Sequence, residues 1–153
     1  MPTINDLERV ITTEAEFAES LLEVIQQQQQ AIVRFNASTL EELVEKQQEM
    51  LRPFDAMEKE RASVSKGVLE AMSAGGGPLV TKSATLTELI QNLEEEDASR
   101  IAAIGERLRR AIEGVLSINR QNRVLLEHSL KFVRENIRLL TGGCSRQLVD
   151  EKI

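Results

Sequence analysis

The sequence predicts an all-α protein, in which three long helices and one short helix form an up-down antiparallel bundle with coiled-coil-like packing. Composition is the first reason: apolar residues make up 41% of the chain but aromatic residues only 3%, whereas strands favour aromatic and β-branched residues. Periodicity is the second reason, because three segments repeat apolar residues at alternating steps of three and four, as amphipathic helices do. A chain of 153 residues can bury a sizeable core, so we expect a single helical domain over residues 1–153.

The first long helix is predicted over residues 4–36. Asn5 followed by Glu8 is an acceptable helix start. The apolar seam that follows contains two polar members, and consists of Ile4, Leu7, Ile11, Glu14, Ala18, Leu21, Ile25, Gln28, Ile32 and Phe35. Five glutamines at residues 26–30 keep the phase of this seam, so we interpret them as helix rather than as a low-complexity segment.

The second long helix is predicted over residues 39–74, after a capping box formed by Ser38 and Glu41. Pro53 lies inside it, and proline removes a backbone donor and clashes with the preceding turn. Because the apolar seam keeps its phase across Pro53, we expect a kink rather than a complete break. The short link to the first helix predicts an antiparallel helical hairpin.

The glycine-rich sequence AGGGP begins a predicted loop over residues 74–84. Thr85 and Glu88 form a second capping box, which begins a short helix over residues 85–94. The acidic run EEED that follows is expected to end this helix.

The last long helix is predicted over residues 98–141, a length of about 65 Å at ~1.5 Å per residue. The sequence TGG is expected to stop it, because glycine offers a left-handed C-cap. Residues 142–153 would then form a flexible tail, since few apolar side chains could anchor them.

The last helix has an apolar face about 220° wide, roughly twice what packing on one neighbour needs. Four polar residues lie inside this face, namely Asn119, Asn122, Ser129 and Asn136. A polar residue on a packed seam costs stability but fixes helix register or partner choice. Leaving its amide buried and unpaired would cost about 1–3 kcal/mol. These groups therefore have partners, either on neighbouring helices or on a bound molecule, and both alternatives remain open.

The segment NRQNRVLLEHSLKFV carries the pattern N-x-x-N-x-x-L-[LI]-x-x-S-[LI] on Asn119, Asn122, Leu125, Leu126, Ser129 and Leu130. This pattern resembles the C-terminal signature of the FlgN-type flagellar export chaperones, which serve the hook–filament junction proteins. LEELVEKQQEMLRPFDAMEKER and TLTELIQNL are similar to the family's second helix and its short helix. The resemblance covers nearly the whole chain. The tail departs from the family pattern, because QLVDEKI keeps Asp150 but lacks the tyrosine that members often carry before it.

The resemblance implies a cytoplasmic binding protein that holds hook-associated flagellar subunits unassembled and delivers them to the flagellar type III export apparatus. The client region would be the helix-prone C-terminus of the subunit, laid on the surplus apolar face of the last helix. The expected contact set lies in the second half of that helix: Leu126, Ser129, Leu130, Phe132, Val133, Asn136, Ile137 and Leu140. Asn119, Asn122 and Leu125 belong to the family signature and to the register of the bundle.

Other function classes have little support in the sequence. A net charge of −6 argues against nucleic acid as a partner, and we expect no signal peptide and no membrane insertion. The only histidine, His128, has no glutamate three residues before it, and Cys144 is the only cysteine, so we expect no catalytic, metal or cofactor site. The alternative function is a self-associating coiled-coil scaffold or adaptor, for which the same apolar face would form a homodimer interface.

Overall fold

The structure is a computed structural model that describes residues 1–73 and 86–150. Its five helices are α1 (Ile4–Val33), α2 (Ala37–Leu51), α3 (Phe54–Ser73), α4 (Leu86–Gln91) and α5 (Glu95–Asp150). Within these two ranges there is no strand, and the all-α prediction is confirmed. The predicted loop over residues 74–84, Thr85 and residues 151–153 lie outside the described residues.

Helix α1 begins at Ile4, the first residue of the predicted range, but its N-cap is Thr3 rather than Asn5. The Thr3 backbone N–H donates to Asp6 Oδ2 at 2.8 Å, and the Asp6 N–H donates to Thr3 Oγ1 at 3.2 Å. This reciprocal pair satisfies donors that the first helical turn leaves without partners. Hydrogen bonds from the Thr3 side chain and backbone also lower the pKa of Asp6. Asn5 and Glu8 therefore lie inside the helix rather than at its cap.

Helix α1 ends in a Schellman motif whose left-handed residue is a phenylalanine. The Phe35 N–H donates to the Ile32 carbonyl at 3.1 Å, and the Asn36 N–H donates to the Ala31 carbonyl at 2.9 Å. Phe35 has φ of +54°, a conformation in which glycine is the usual residue. The turn closes the α1–α2 hairpin, and it ends α1 at Val33 rather than at the predicted residue 36.

Asn36 also caps α2. Its side-chain oxygen accepts the Thr39 N–H at 3.1 Å, which is the usual role of an N-cap residue. The predicted capping box of Ser38 and Glu41 is therefore wrong, because Asn36 supplies the cap two residues earlier and Ser38 is already helical.

The predicted second long helix is divided into α2 and α3 at Arg52 and Pro53. Arg52 nevertheless keeps right-handed helical angles, with φ −55° and ψ −46°. The Met57 N–H donates to the Pro53 carbonyl at 3.0 Å, so regular bonding resumes at once. Proline lacks the N–H that a continuous helix would require here, and the interruption is confined to these two residues, as expected of a kink.

Both predicted ends of the last helix are corrected. Helix α5 begins at Glu95, and its first turn contains Glu95, Glu96 and Asp97, because acidic side chains are favourable beside the positive end of the helix dipole. The helix also continues through Gly142 to Asp150. Gly142 does not adopt a left-handed conformation. Glycine permits a left-handed cap but does not impose one, so the predicted stop at Thr141 is wrong.

Helix α1 is the centre of the arrangement. The α2–α3 pair runs antiparallel to it, with Gln28 bonded to Gln47 near one end and Glu14 paired with Arg61 nearer the other. Helix α5 runs parallel to α1 and antiparallel to α3, as an up-down bundle requires. Between the described parts of α2 or α3 and α5, no two Cα atoms come within 8 Å. Helix α1 therefore makes the closest backbone approach to both, while side chains of α3 and α5 share one hydrophobic core.

The main hydrophobic core lies around the first half of α1, where side chains of α1, α3, α4 and α5 meet. Its buried members are Leu7, Ile11, Ala15, Ala18, Val68, Leu69, Leu89, Ile101, Leu108 and Ala111. Helix α2 has no buried residue, and it is held to α1 partly by the buried Gln28. The Gln28 side-chain N–H donates to the Leu43 carbonyl at 3.2 Å and to Gln47 Oε1 at 2.7 Å. The glutamine run is thus helical, as predicted.

One buried carboxylate lies between α1 and α3. Glu14 is only 1% exposed, and its Oε2 lies 2.6 Å from Arg61 Nε. Neither atom has a well-aligned hydrogen bond, so the contact is an ion pair maintained by proximity. Burial raises the pKa of Glu14, and the nearby Arg61 guanidinium opposes this effect.

Candidate partner-binding surface

Helix α5 extends well beyond the end of α1. Arg100 pairs with Glu8 at 3.0 Å, and Gln29 donates to Gln121 at 3.1 Å, and both pairs are 92 residues apart in sequence. This constant offset places the end of α1 level with Leu125. Residues 126–150, called here the α5 extension, add about 37 Å of helix at ~1.5 Å per residue. The described part of the chain offers the extension no neighbouring helix.

The apolar members of the predicted contact set are exposed on this extension. Their exposed fractions run from 37% at Leu126 to 70% at Leu140. The other four apolar members are Leu130, Phe132, Val133 and Ile137. The two polar members, Ser129 and Asn136, are half-buried. The stripe that packs on α1 in the first half of α5 therefore continues along the extension without a covering helix.

The signature asparagines have different environments. Asn122 is 3% exposed, and its side-chain N–H donates to the Ile25 carbonyl at 3.1 Å. Asn122 therefore has its partner on a neighbouring helix, which favours the first of the two alternatives for this residue. Asn119 is exposed. Asn136 donates to the Phe132 carbonyl of its own helix at 2.9 Å, and Leu125 is half-buried.

Two exposed apolar groups near the extension are not in the predicted set. Leu139 is 74% exposed and follows Phe132 by seven residues, so the two lie on the same side of the helix. The helical projection of the sequence already places Leu139 beside Phe132, so Leu139 could have been included in the predicted contact set. Phe35, at the end of the α1–α2 hairpin, is 67% exposed. Its position in the α1 seam predicted burial, and only the left-handed turn places it outside the core.

An ion pair and a close packing contact join the first half of α5 to α1. Arg107 on α5 donates to Glu19 on α1 at 2.9 Å, and this hydrogen bond lowers the pKa of Glu19. Gly114 packs directly under Leu22, since a Cβ at this position would lie 3.0 Å from Leu22 Cδ2. The extension therefore projects from a firmly docked half-helix.

The described residues offer little that resembles an active site or a membrane anchor. His128 is exposed, and nowhere in residues 1–73 or 86–150 do three His, Cys, Asp or Glu side chains converge as metal ligands would. None of the helices described here combines the length and hydropathy needed to cross a bilayer. The dominant surface feature is the apolar face of the extension.

Comparison with known proteins agrees with this geometry. No curated protein and no solved structure matches the chain. A family model described as FlgN protein matches residues 1–148, a span that includes both the helical bundle and almost all of the extension. The chain therefore belongs to the FlgN family and is a flagellar export chaperone.

Proposed function

We propose that the α5 extension binds the helix-prone C-terminal region of a hook-associated flagellar subunit, in the cytoplasm. The bound subunit is kept from assembling and is delivered to the flagellar type III export apparatus. The observation that carries this proposal is the uncovered apolar stripe from Leu126 to Leu140. Contiguous exposed apolar surface of this kind usually marks an interaction site.

Helix energetics support the same proposal. A helix without tertiary contacts gains little stability in water, because most helical stability in proteins comes from packing an apolar face. The extension has such a face and lacks a neighbour, so an amphipathic partner helix would stabilise both segments. Covering the apolar face of the client helix also blocks the contacts that subunit assembly needs.

The proposal takes the client segment to be unfolded when free and to become helical on binding, which accounts for reversible release. A segment that folds as it binds spends part of its interaction free energy on ordering. The complex is then specific but weaker than its contact area suggests, which allows the client to leave at the export apparatus. The scaffold alternative puts a second copy of this chain on the same stripe, so the oligomeric state of the free protein bears directly on the choice.

The test combines affinity with folding stability. We expect Phe132→Ala to weaken binding to the hook–filament junction subunits about thirtyfold, or on the order of 2 kcal/mol, as measured by calorimetry. The thermal midpoint should barely move, because Phe132 is 60% exposed. Val133→Asp should have the same pattern. Val44→Ala is the matched control, since Val44 is an exposed apolar residue of α2.

Two outcomes would contradict the proposal. Unchanged affinity in folded Phe132→Ala and Val133→Asp variants would exclude the extension as the docking surface. A stable dimer that dissociates in these variants, with no client binding by the wild-type protein, would favour the scaffold function. Light scattering on the same samples distinguishes these cases.

A further inference from the structure

The basic side chains of α5 fall into two classes. From the start of the helix to Arg110, every one of them pairs with an aspartate or a glutamate; these are Arg100, Arg107, Arg109 and Arg110. From Arg120 to Arg138, all of them are exposed and none forms a salt bridge to a described residue. The members of this second class are Arg120, Arg123, Lys131, Arg134 and Arg138. Their positive charge is therefore available to a partner.

Helical spacing accounts for the difference between the classes. Glu106 precedes Arg109 and Arg110 by three and four residues, and it accepts hydrogen bonds from both, at 2.6 and 3.1 Å. Arg134 and Arg138 are instead four residues apart, so two like charges lie on one side of the helix, a spacing that destabilises it. The described part of the chain offers no neighbouring helix there to compensate. An acidic partner would remove this repulsion.

The unpaired basic side chains lie on the back of α5, whereas Asn122 marks the side that faces α1. At ~100° per residue, three of them lie within about 20° of the direction opposite Asn122, namely Arg120, Lys131 and Arg138. Arg134 lies about 60° from that direction, and Arg123 lies nearer the edge of the apolar stripe. The basic face is defined here as Arg120, Lys131, Arg134 and Arg138. A client helix seated on the apolar stripe would leave the basic face uncovered.

The charge of the whole chain is divided in the same way. Residues 1–119 contain 21 acidic and 12 basic residues, whereas residues 120–153 contain four acidic and seven basic residues. Glu127 and Glu135 lie in the same stretch as the basic face, but neither pairs with it in the part of the chain that the structure describes. The second half of α5 is thus a positive arm on an acidic protein.

This division of charge selects the kind of partner. A uniformly anionic surface, such as a lipid bilayer or a nucleic acid, would attract the basic face but repel the acidic bundle beside it. An acidic patch on a folded protein is complementary to the basic face alone. The distance from Arg120 to Arg138 is about 27 Å along the helix, which is long enough to cover such a patch.

We propose that the basic face is a second docking surface, which binds an acidic patch on the flagellar type III export apparatus while the client occupies the apolar stripe. This inference rests on the proposed function, and it assigns delivery to a surface separate from client binding. The two surfaces lie on opposite sides of one helix, so the chaperone holds both partners at the same time. Charge attraction also raises the rate at which the loaded chaperone meets the apparatus.

The test compares charge reversal on the basic face with a matched control. Arg134→Glu/Arg138→Glu reverses two charges of the basic face, and Lys46→Glu/Lys59→Glu makes the same change in net charge at exposed positions of α2 and α3. Each chaperone, loaded with a hook–filament junction subunit, is titrated by calorimetry against the purified soluble parts of the export apparatus. We expect the basic-face variant to bind at least about tenfold more weakly than wild type at low salt, with the difference shrinking as salt screens the charges. The control variant should bind like wild type.

Folding and client binding are measured on the same preparations. Arg134 and Arg138 are exposed, so the thermal midpoint of the basic-face variant should barely move. Its affinity for the junction subunit should change by less than about twofold, because the apolar stripe is intact. Arg134→Gln/Arg138→Gln removes the two charges without reversing them, and it should lose less affinity for the apparatus than the reversal does.

Three results would overturn the inference. They are equal binding of wild type and the basic-face variant to the apparatus, no binding by loaded wild type, and binding to phosphatidylglycerol vesicles that the charge reversal abolishes. The last result would assign the basic face to a membrane surface. Failure of the proposed function has a different signature, since it requires client binding to survive Phe132→Ala and Val133→Asp. If these variants lose the client but the charge reversal leaves binding to the apparatus unchanged, only the inference is wrong.

Discussion

Asn122 on α5 donates its side-chain N–H to the main-chain carbonyl of Ile25 on α1, at 3.1 Å. Between Asn122 and Gly142, the stretch of α5 whose burial is described, no residue after Asn122 is buried. Its contact therefore marks the boundary between the half of α5 that belongs to the bundle and the half that projects from it. The side-chain oxygen of Asn122 is buried without a hydrogen-bond partner.

We expect Asn122→Asp to destabilise the fold by about 2–3 kcal/mol. The substitution places a charge in a buried site beside the Ile25 carbonyl and removes the amide donor. Asn119→Asp adds the same charge at an exposed position three residues earlier and should change the stability by less than about 0.5 kcal/mol. Urea unfolding of both variants provides the measurement. Equal effects would show that Asn122 is not buried against α1 in solution.

Asn122→Leu separates register from client binding. The change removes a hydrogen bond, but it also removes the unpaired buried oxygen, so the net effect on stability should be small. If the role of Asn122 is structural, this variant should alter helix register or oligomeric state more than client affinity. Light scattering and calorimetry on the same preparation test this expectation.

The buried Glu14 predicts a pH dependence of stability. Its pKa in the folded protein is raised above the usual 4.5, chiefly by burial, so the folded state binds this proton more tightly than the unfolded state does. The resulting stabilisation is complete below the unfolded pKa and is lost as pH rises through the folded pKa. We expect the stability of Glu14→Gln relative to wild type to increase with pH above about 4.5, and then to level off.

Urea unfolding at a series of pH values measures this difference. Comparing the two proteins at each pH cancels the opposite contributions of Asp6 and Glu19, whose pKa values are lowered by hydrogen bonds. Glu23→Gln, at an exposed position of the same helix, controls for the loss of one negative charge. A Glu14→Gln difference that stays constant across the whole range would contradict the prediction.

Helix periodicity predicted most of the fold, because each long helix buries a continuous stripe. Every polar position in the α1 seam, Glu14 and Gln28, is buried as the seam requires. The helix ends were harder to predict, since several residues could serve as caps within one turn. Thr3 and Asn36 act as caps where Asn5 and Ser38 were expected. Both use local hydrogen bonds to a residue three positions later, which apolar periodicity does not predict.

The far end of α5 gives a direct test of one such correction. We expect Gly142→Ala to stabilise the helix locally by about 0.8–1 kcal/mol, because the helix passes through Gly142 and the added Cβ meets nothing within 4 Å. Amide exchange near residue 142 should slow by several fold. Gly114→Ala makes the same change where the Cβ would lie 3.0 Å from Leu22 Cδ2, and it should be less stabilising. A loss of stability in Gly142→Ala would instead support the left-handed cap that the sequence TGG predicts.

The sequence could predict which part of α5 has an uncovered apolar face, but not every residue at the edges of that face. The width of the apolar arc indicated surplus surface, and the length of the last helix indicated where that surface would be free. Phe35 was beyond such reasoning, because its exposure depends on a left-handed turn that ends α1 early.

Leu139 tests the far border of the surface. It is 74% exposed and lies on the same side of α5 as Phe132, so we infer that a client helix long enough to reach Leu140 also covers it. Leu139→Ala should weaken client binding about fivefold, equivalent to ~1 kcal/mol, with an unchanged thermal midpoint. Leu116→Ala is the matched control, because Leu116 is 55% exposed on α5 but lies in the half that packs on α1. Calorimetry with the hook–filament junction subunits should separate the two variants. Equal affinity in both would place the end of the client helix before Leu139.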